Sequence, residues 1–132
     1  MLRTTSILAA LLFAFALGTV AQAQMAAAPK GVTVLKAGDA SILAGPTGLT
    51  LYVVDSDPAG KSTCNGPCAA NWPPLAATAT DKPVGDYTIV TRDDGSLQWA
   101  YKGKPLYYWK NDKAPLDTTG DGVAGKWHVA KP

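Results

Sequence analysis

From residue 32 onward, apolar residues fall into short runs separated by turn formers. Val32-Thr33-Val34-Leu35 is a β-branched run that predicts a first strand. Gly38-Asp39 reads as a turn, and Ser41-Ile42-Leu43-Ala44 as a second strand. Gly45-Pro46-Thr47-Gly48 is a turn by composition, and Thr50 to Val54 is a third strand. That strand ends in Asp55-Ser56-Asp57-Pro58-Ala59-Gly60, a cluster of turn residues. Cys64 to Trp72 has room for one or two helical turns, which Pro73-Pro74 must stop. Ala76 to Pro83 reads as a loop. Tyr87 to Thr91, Leu97 to Tyr101 and Leu106 to Trp109 predict further strands, and Trp127-His128-Val129 a last one.

The second half repeats the first at one gapless offset. Gly103, Leu106, Tyr107 and Asp112 stand 55 residues after Gly48, Leu51, Tyr52 and Asp57. The same offset aligns Thr33-Val34-Leu35 with Thr88-Ile89-Val90, Ser41 with Ser96, and Trp72 with Trp127. A half-domain of this size exposes hairpin edges and cannot close a core alone, so the two should pair. The expected fold is mainly β: two pseudo-repeated strand-plus-hairpin halves, about 33–75 and 88–132, forming one small barrel or sandwich with at most short helical turns.

Lys102-Gly103 fits a two-residue type I′ turn. That register pairs Tyr101 with Lys104, Trp99 with Leu106 and Leu97 with Tyr108, and puts Pro105 opposite Ala100. A register slipped by one residue would group Trp99, Tyr101, Tyr107 and Trp109 instead. Either way large rings lie on the hairpin, as core or as an aromatic binding surface. Tyr52 with Asp57, and Tyr107 with Trp109 and Asp112, are therefore the candidate binding residues. Their plainer reading is core rings whose hydroxyls need partners, with each Asp capping a turn.

Composition agrees with strands and turns. All ten acidic residues are Asp, and the chain has 13 Gly and 10 Pro. The N-terminus reads as an export signal: Arg3, an apolar stretch from Ile7 to Leu17, and Ala21-Gln22-Ala23 as a cleavage site. The apolar run is shorter than the roughly 20 residues that span a bilayer. Residues 1–23 are thus expected to be a signal peptide, 24–31 a flexible leader and 32–132 a single β-rich domain. Periplasmic or secreted localisation follows, with no membrane anchor after cleavage. The cleaved chain carries a net charge of about +1 with no basic cluster, which argues against nucleic acid as a partner.

Little else points to chemistry. Cys64 and Cys68 are the only cysteines, and an even count in an oxidising compartment predicts a disulfide. Asp117, Thr119 and Asp121 stand at the first three ligand positions of a calcium loop, but His128 occupies the place of the bidentate Glu. His128 is the sole histidine and has no nucleophile in its sequence context. No cofactor is implied, and the chain reads as non-enzymatic.

The chain resembles the bacterial secreted-repeat lipoproteins of unknown function, marked by a Y-x-[FWY]-x-x-D motif. Tyr107-Tyr108-Trp109-Lys110-Asn111-Asp112 fits it fully; Tyr52-Val53-Val54-Asp55-Ser56-Asp57 has Val54 at the aromatic position. Trp72-Pro73-Pro74-Leu75, Gln98-Trp99-Ala100-Tyr101 and Gly125-Lys126-Trp127-His128 are similar to the family's repeat as well. The chain departs in lacking a lipobox Cys. The resemblance implies an exported domain and supplies no activity. The expectation is an envelope module that binds an unknown envelope component or small ligand. The alternative is a periplasmic redox or metal-handling accessory protein using the Cys pair or the Asp-rich loop.

Overall fold

The computed structural model describes residues 27–132. The expected signal peptide and residues 24–26 lie outside the described residues. Pro29, within the stretch expected as a leader, is buried, and its carbonyl accepts the Val32 N–H at 3.0 Å.

Two hairpins carry the repeat. In the first half β1 (Thr33–Ala37) pairs antiparallel with β2 (Ala40–Ala44) across Gly38-Asp39. In the second half β5 (Tyr87–Thr91) pairs with β6 (Leu97–Tyr101). Each hairpin then catches a leucine at the repeat offset. Leu51 N–H donates to Leu43 at 2.9 Å, and Leu106 N–H donates to Trp99 at 3.0 Å.

The halves then exchange their ends. β3 (Tyr52–Val54) belongs to the first half but pairs with β8 (Trp127–Val129) of the second. β4 (Ala76–Ala77) ends the first half but pairs with β6 of the second. The flanking bonds repeat the exchange: Ala130 N–H donates to Leu51 at 2.8 Å, and Leu75 N–H to Leu106 at 2.9 Å. Between them Tyr52 and Tyr107 bond each other reciprocally, at 2.7 and 3.0 Å. A residue that pairs with its own repeat counterpart lies on a local two-fold axis. Trp72 and Trp127 also pair with each other across it, stacked at 3.7 Å with planes 1° apart.

The result is mainly β, in several small sheets with two tandem repeats. The strands do not run round one closed ladder; isolated bridges link the sheets. Among the described residues helical structure is limited to α1 (Pro67–Asn71) and a 3-10 turn at Val123–Gly125. Pro67 opens α1, where its missing N–H costs nothing, and Pro73-Pro74 follow its end. The core has two clusters. One centres on Leu43, Leu51, Leu75, Trp99 and Leu106; the other on Tyr52, Trp72, Tyr107 and Trp127.

The type I′ turn forms as expected, with Lys102 at φ 48° and Gly103 at φ 82°, and Tyr101 faces Lys104. The strand expected at Leu106–Trp109 does not. β7 (Lys104–Pro105) is short, and Leu97 faces Ala77 rather than Tyr108. The reason is occupancy: β4, in a segment expected to be a loop, already covers that edge of β6. The chain beyond Leu106 therefore turns to the first half, where Tyr108 N–H donates to Pro73 at 2.7 Å and Lys110 N–H to Asn71 at 3.0 Å.

Lys102 sits in the left-handed region, which costs a side chain with a Cβ about 1–2 kcal/mol and Asn less. Its N–H donates to the Asp86 carbonyl, a bond any non-proline residue keeps. Lys102→Asn is therefore expected to stabilise the fold by about 0.5–1 kcal/mol. A urea titration checks this; an unchanged or lower midpoint would refute it.

Candidate functional site

The five candidate binding residues converge on the local two-fold axis, and four of them are buried. Tyr52 and Tyr107 are fully buried, Asp57 and Asp112 nearly so, and Trp109 is half-buried. The bonds between them cross the repeats. The Tyr107 hydroxyl donates to Oδ2 of Asp57 at 2.5 Å, and the Tyr52 hydroxyl to Oδ2 of Asp112 at 2.5 Å. Each tyrosine thus reaches the aspartate of the other half, not the one five residues on. The aspartates also cap locally, as the plainer reading expects. Asp57 Oδ1 accepts the Thr63 N–H and hydroxyl at 2.8 and 2.7 Å; Asp112 Oδ1 accepts those of Thr119 at 3.1 and 2.6 Å.

These bonds make burial tolerable. A buried carboxylate or phenol without a partner costs several kcal/mol, and here each has one. Burial pushes the Tyr107 phenol up to about 12, and its bond to Asp57 acts the same way. Tyr52 is raised further, again by burial first and Asp112 second. Tyr87, at the edge of the other cluster, is raised to about 12 by burial and then by Tyr101 and Asp86.

The two pairs have diverged. Beside Tyr107 lies a buried polar chain that the sequence did not flag. Ser62 Oγ is 2.6 Å from the Tyr107 hydroxyl, and Arg92 donates to Ser62 Oγ at 3.0 Å. Arg92 also donates to Gln98 Oε1 at 2.7 Å and to the Cys64 carbonyl at 2.6 Å. Arg92 stands at the turn between β5 and β6, where its carbonyl accepts the Gly95 N–H at 2.9 Å. Gln98, a polar residue at an inward strand position, was the available signal. At the repeat offset Gln98 corresponds to Leu43 and Arg92 to Ala37, so the Tyr52 pair lacks this network.

Aromatic rings surround both pairs. Trp72 stacks on Trp127, lies 4.1 Å from Trp109 and meets the edge of Tyr52 at 5.4 Å; Tyr107 meets Trp127 at 5.1 Å. The residue after each Asp-bound threonine packs into this cluster, as Cys64 in one half and Gly120 in the other. A Cβ on Gly120 would come within 2.8 Å of Trp72 and 2.9 Å of Trp109, so only glycine fits there. Cys64 and Cys68 form the expected disulfide, and the Trp72 N–H donates to the Cys68 carbonyl at 2.8 Å.

In the Asp-rich loop the Asp117 and Asp121 carboxylates accept backbone N–H groups. Asp117 Oδ2 accepts the N–H groups of Lys113 and Ala114, which hold its carboxyl below the usual range. Thr119 faces Asp112, and Asp121 Oδ1 accepts the Val129 N–H at 3.1 Å. Among the described residues no group of three or more His, Cys, Asp or Glu is placed to share an ion. His128 lies on the exposed face of β8, 3.0 Å from Asp55.

A separate groove of about 280 Å³ lies between the first half's β1 and the start of β5. Its lining is mostly apolar: Val32, Val34, Leu43, Tyr87, Tyr101 and Pro132, with Asp86 among the polar members.

Fold and site together define a duplicated, disulfide-bearing β module whose halves complete each other. The model of a family described as a secreted repeat of unknown function matches the chain twice, over residues 33–76 and 88–131, and the chain belongs to that family. Searches of curated proteins and of solved structures returned no match. No helix of the described residues is long and apolar enough to cross a membrane.

Tyr107→Phe keeps the ring but leaves Asp57 Oδ2 without its phenol. It is expected to cost about 1–3 kcal/mol in urea unfolding, far more than removing an exposed hydroxyl. A loss below a few tenths would show the bond to be dispensable. The phenols also set an alkaline limit. In an unfolded chain tyrosine ionises near pH 10, whereas folded Tyr87 and Tyr107 keep their protons to about 12. Unfolding then releases protons, so this stability is intact below about pH 10 and is lost as pH rises towards about 12. The urea midpoint should fall across that window, and fall less in Tyr107→Phe; a midpoint flat to pH 12 would contradict the assignment.

Proposed function

We propose that this secreted repeat protein is a non-catalytic module of the cell envelope that binds a small apolar ligand in the groove between β1 and β5. The groove carries the proposal. It is concave and mostly apolar, and a few polar groups at its edge could orient a ligand, as small-molecule sites do. The buried Tyr52, Tyr107, Asp57 and Asp112 serve the reading differently from the sequence expectation: they hold the halves together and leave the binding surface to the groove. His128, on the surface with only an aspartate at hydrogen-bond distance, supports the non-catalytic part. A periplasmic or extracellular location follows from the family's secreted character.

The redox or metal-handling alternative has less behind it. Cys64 and Cys68 are joined to each other, and the Asp117 and Asp121 carboxylates are occupied by backbone N–H groups.

An apolar fluorescent dye, Nile red, tests the groove. The native protein should bind it saturably with one dye per chain. Val34 is exposed and lines the groove, so Val34→Asp should leave the fold intact and abolish the enhancement. Enhancement unchanged in that variant, or no saturable binding to the native chain, would reject the proposal.

A further inference from the structure

The aromatic cluster and the two tyrosine–aspartate bonds use no part of that groove, and they carry a second inference. Trp109 is the half-buried member, in contact with Trp72, which touches Tyr52. Both tyrosines already hold the hydrogen bond that a phenol needs to lose an electron cheaply. A phenol oxidised without losing its proton becomes a strongly acidic cation; with a carboxylate in contact, the proton has somewhere to go.

The charges around the two pairs differ. Arg92 lies one hydroxyl away from Tyr107, and Lys104 Nζ donates to the Asp57 carbonyl at 3.0 Å. Oxidising Tyr107 would neutralise Asp57, which lies three hydrogen bonds from the buried Arg92 cation, and so leave that network with a net positive charge, an unfavourable state. Tyr52 has the opposite surroundings, with Asp112 bonded to it and Asp121 acting on its phenol. Among the described residues no Lys or Arg side chain enters the hydrogen bonds of this pair, whereas Arg92 enters those of the other. Loss of negative charge at the Tyr52 pair therefore leaves no buried cation uncompensated.

We propose that Trp109, Trp72 and Tyr52 form a one-electron oxidation path that ends on Tyr52, with Asp112 as the proton acceptor. The oxidant is an oxyl radical, RO•, of the kind an exported protein meets outside the cytoplasm. It takes one electron from Trp109 and a proton from water, and leaves as ROH and hydroxide. Trp72 refills Trp109. Tyr52 refills Trp72, and its phenolic proton moves to Oδ2 of Asp112. The products are a neutral tyrosyl radical at Tyr52 and a protonated Asp112. The event is stoichiometric: one oxidising equivalent is moved from the half-buried ring to a fully buried one. Tyr107, reached through Trp127, is the disfavoured end of the same cluster.

Pulse radiolysis with the azidyl radical, which becomes azide on taking one electron from tryptophan, reads the path directly. In the native protein the tryptophanyl absorption should give way to tyrosyl absorption at a rate independent of protein concentration, and more slowly in D2O. Tyr52→Phe should lose most of the tyrosyl yield, whereas Tyr107→Phe should retain it. Asp112→Asn keeps a hydrogen-bond acceptor but cannot hold the proton, and should lose the yield too. It decides the matter, with the isotope effect on the native chain, if Tyr52→Phe does not fold. A tryptophanyl radical that never decays into tyrosyl overturns the path. A yield undiminished in both Tyr52→Phe and Asp112→Asn, or lost equally in Tyr107→Phe, overturns the assignment to Tyr52.

Discussion

The structure rests on two buried carboxylates that must be satisfied from across the molecule. Asp57 and Asp112 each take two bonds from a threonine a few residues downstream and one from a tyrosine of the opposite repeat. The local bonds shape a loop; the distant bond closes the domain. With the halves apart, each phenol and each carboxylate would need water, and the rings that now shield them would be exposed. The repeat motif is therefore an instruction about pairing. Its tyrosine and aspartate belong to different ends of a two-fold exchange, which is why a single copy makes little sense alone.

Around that exchange the two halves have taken different parts. One position is cysteine in the first half and glycine in the second, and both pack on the same tryptophans. The cysteine joins a disulfide beside a buried Arg92–Gln98–Ser62 chain, whereas the glycine brings its backbone N–H to within 3.3 Å of the Tyr52 hydroxyl. A duplicated frame thus holds two tyrosine–aspartate pairs of the same geometry in unlike electrostatic settings. Geometry alone would make them interchangeable; Arg92 and Asp121 make them distinct.

Much of this was legible before any coordinates. Most strand positions, the type I′ turn and the repeat follow from turn residues, β-branched runs and one constant offset, and the disulfide from an even cysteine count in an exported chain. The partners of the tyrosines were not legible, because a five-residue spacing reads as a local cap, and the threonine bonds make that reading half right. Whether the rings face solvent also depends on the exchange. Tyr107 is buried where Tyr52, Asp57, Ser62 and Pro74 of the other half meet it, a placement that nothing in Tyr107's own stretch of sequence encodes. β4 was missed for a related reason: Ala76-Ala77 has no strand signature, and only the exposed edge of β6 makes it a strand.

The pairing of β3 with β8 has a consequence for how the chain is made. Residues 52–54 meet their partner only when residues 127–129 arrive, so the first half stays unfinished until the second repeat is nearly complete. A chain that emerges N-terminus first therefore shows β3 as an open sheet edge until β8 follows, and the Tyr52 phenol stays bare until Asp112 arrives. Loss of β8 therefore does its damage at β3, in the other repeat. The late closure also favours export, since a chain that cannot complete its core early remains threadable until its second repeat has followed.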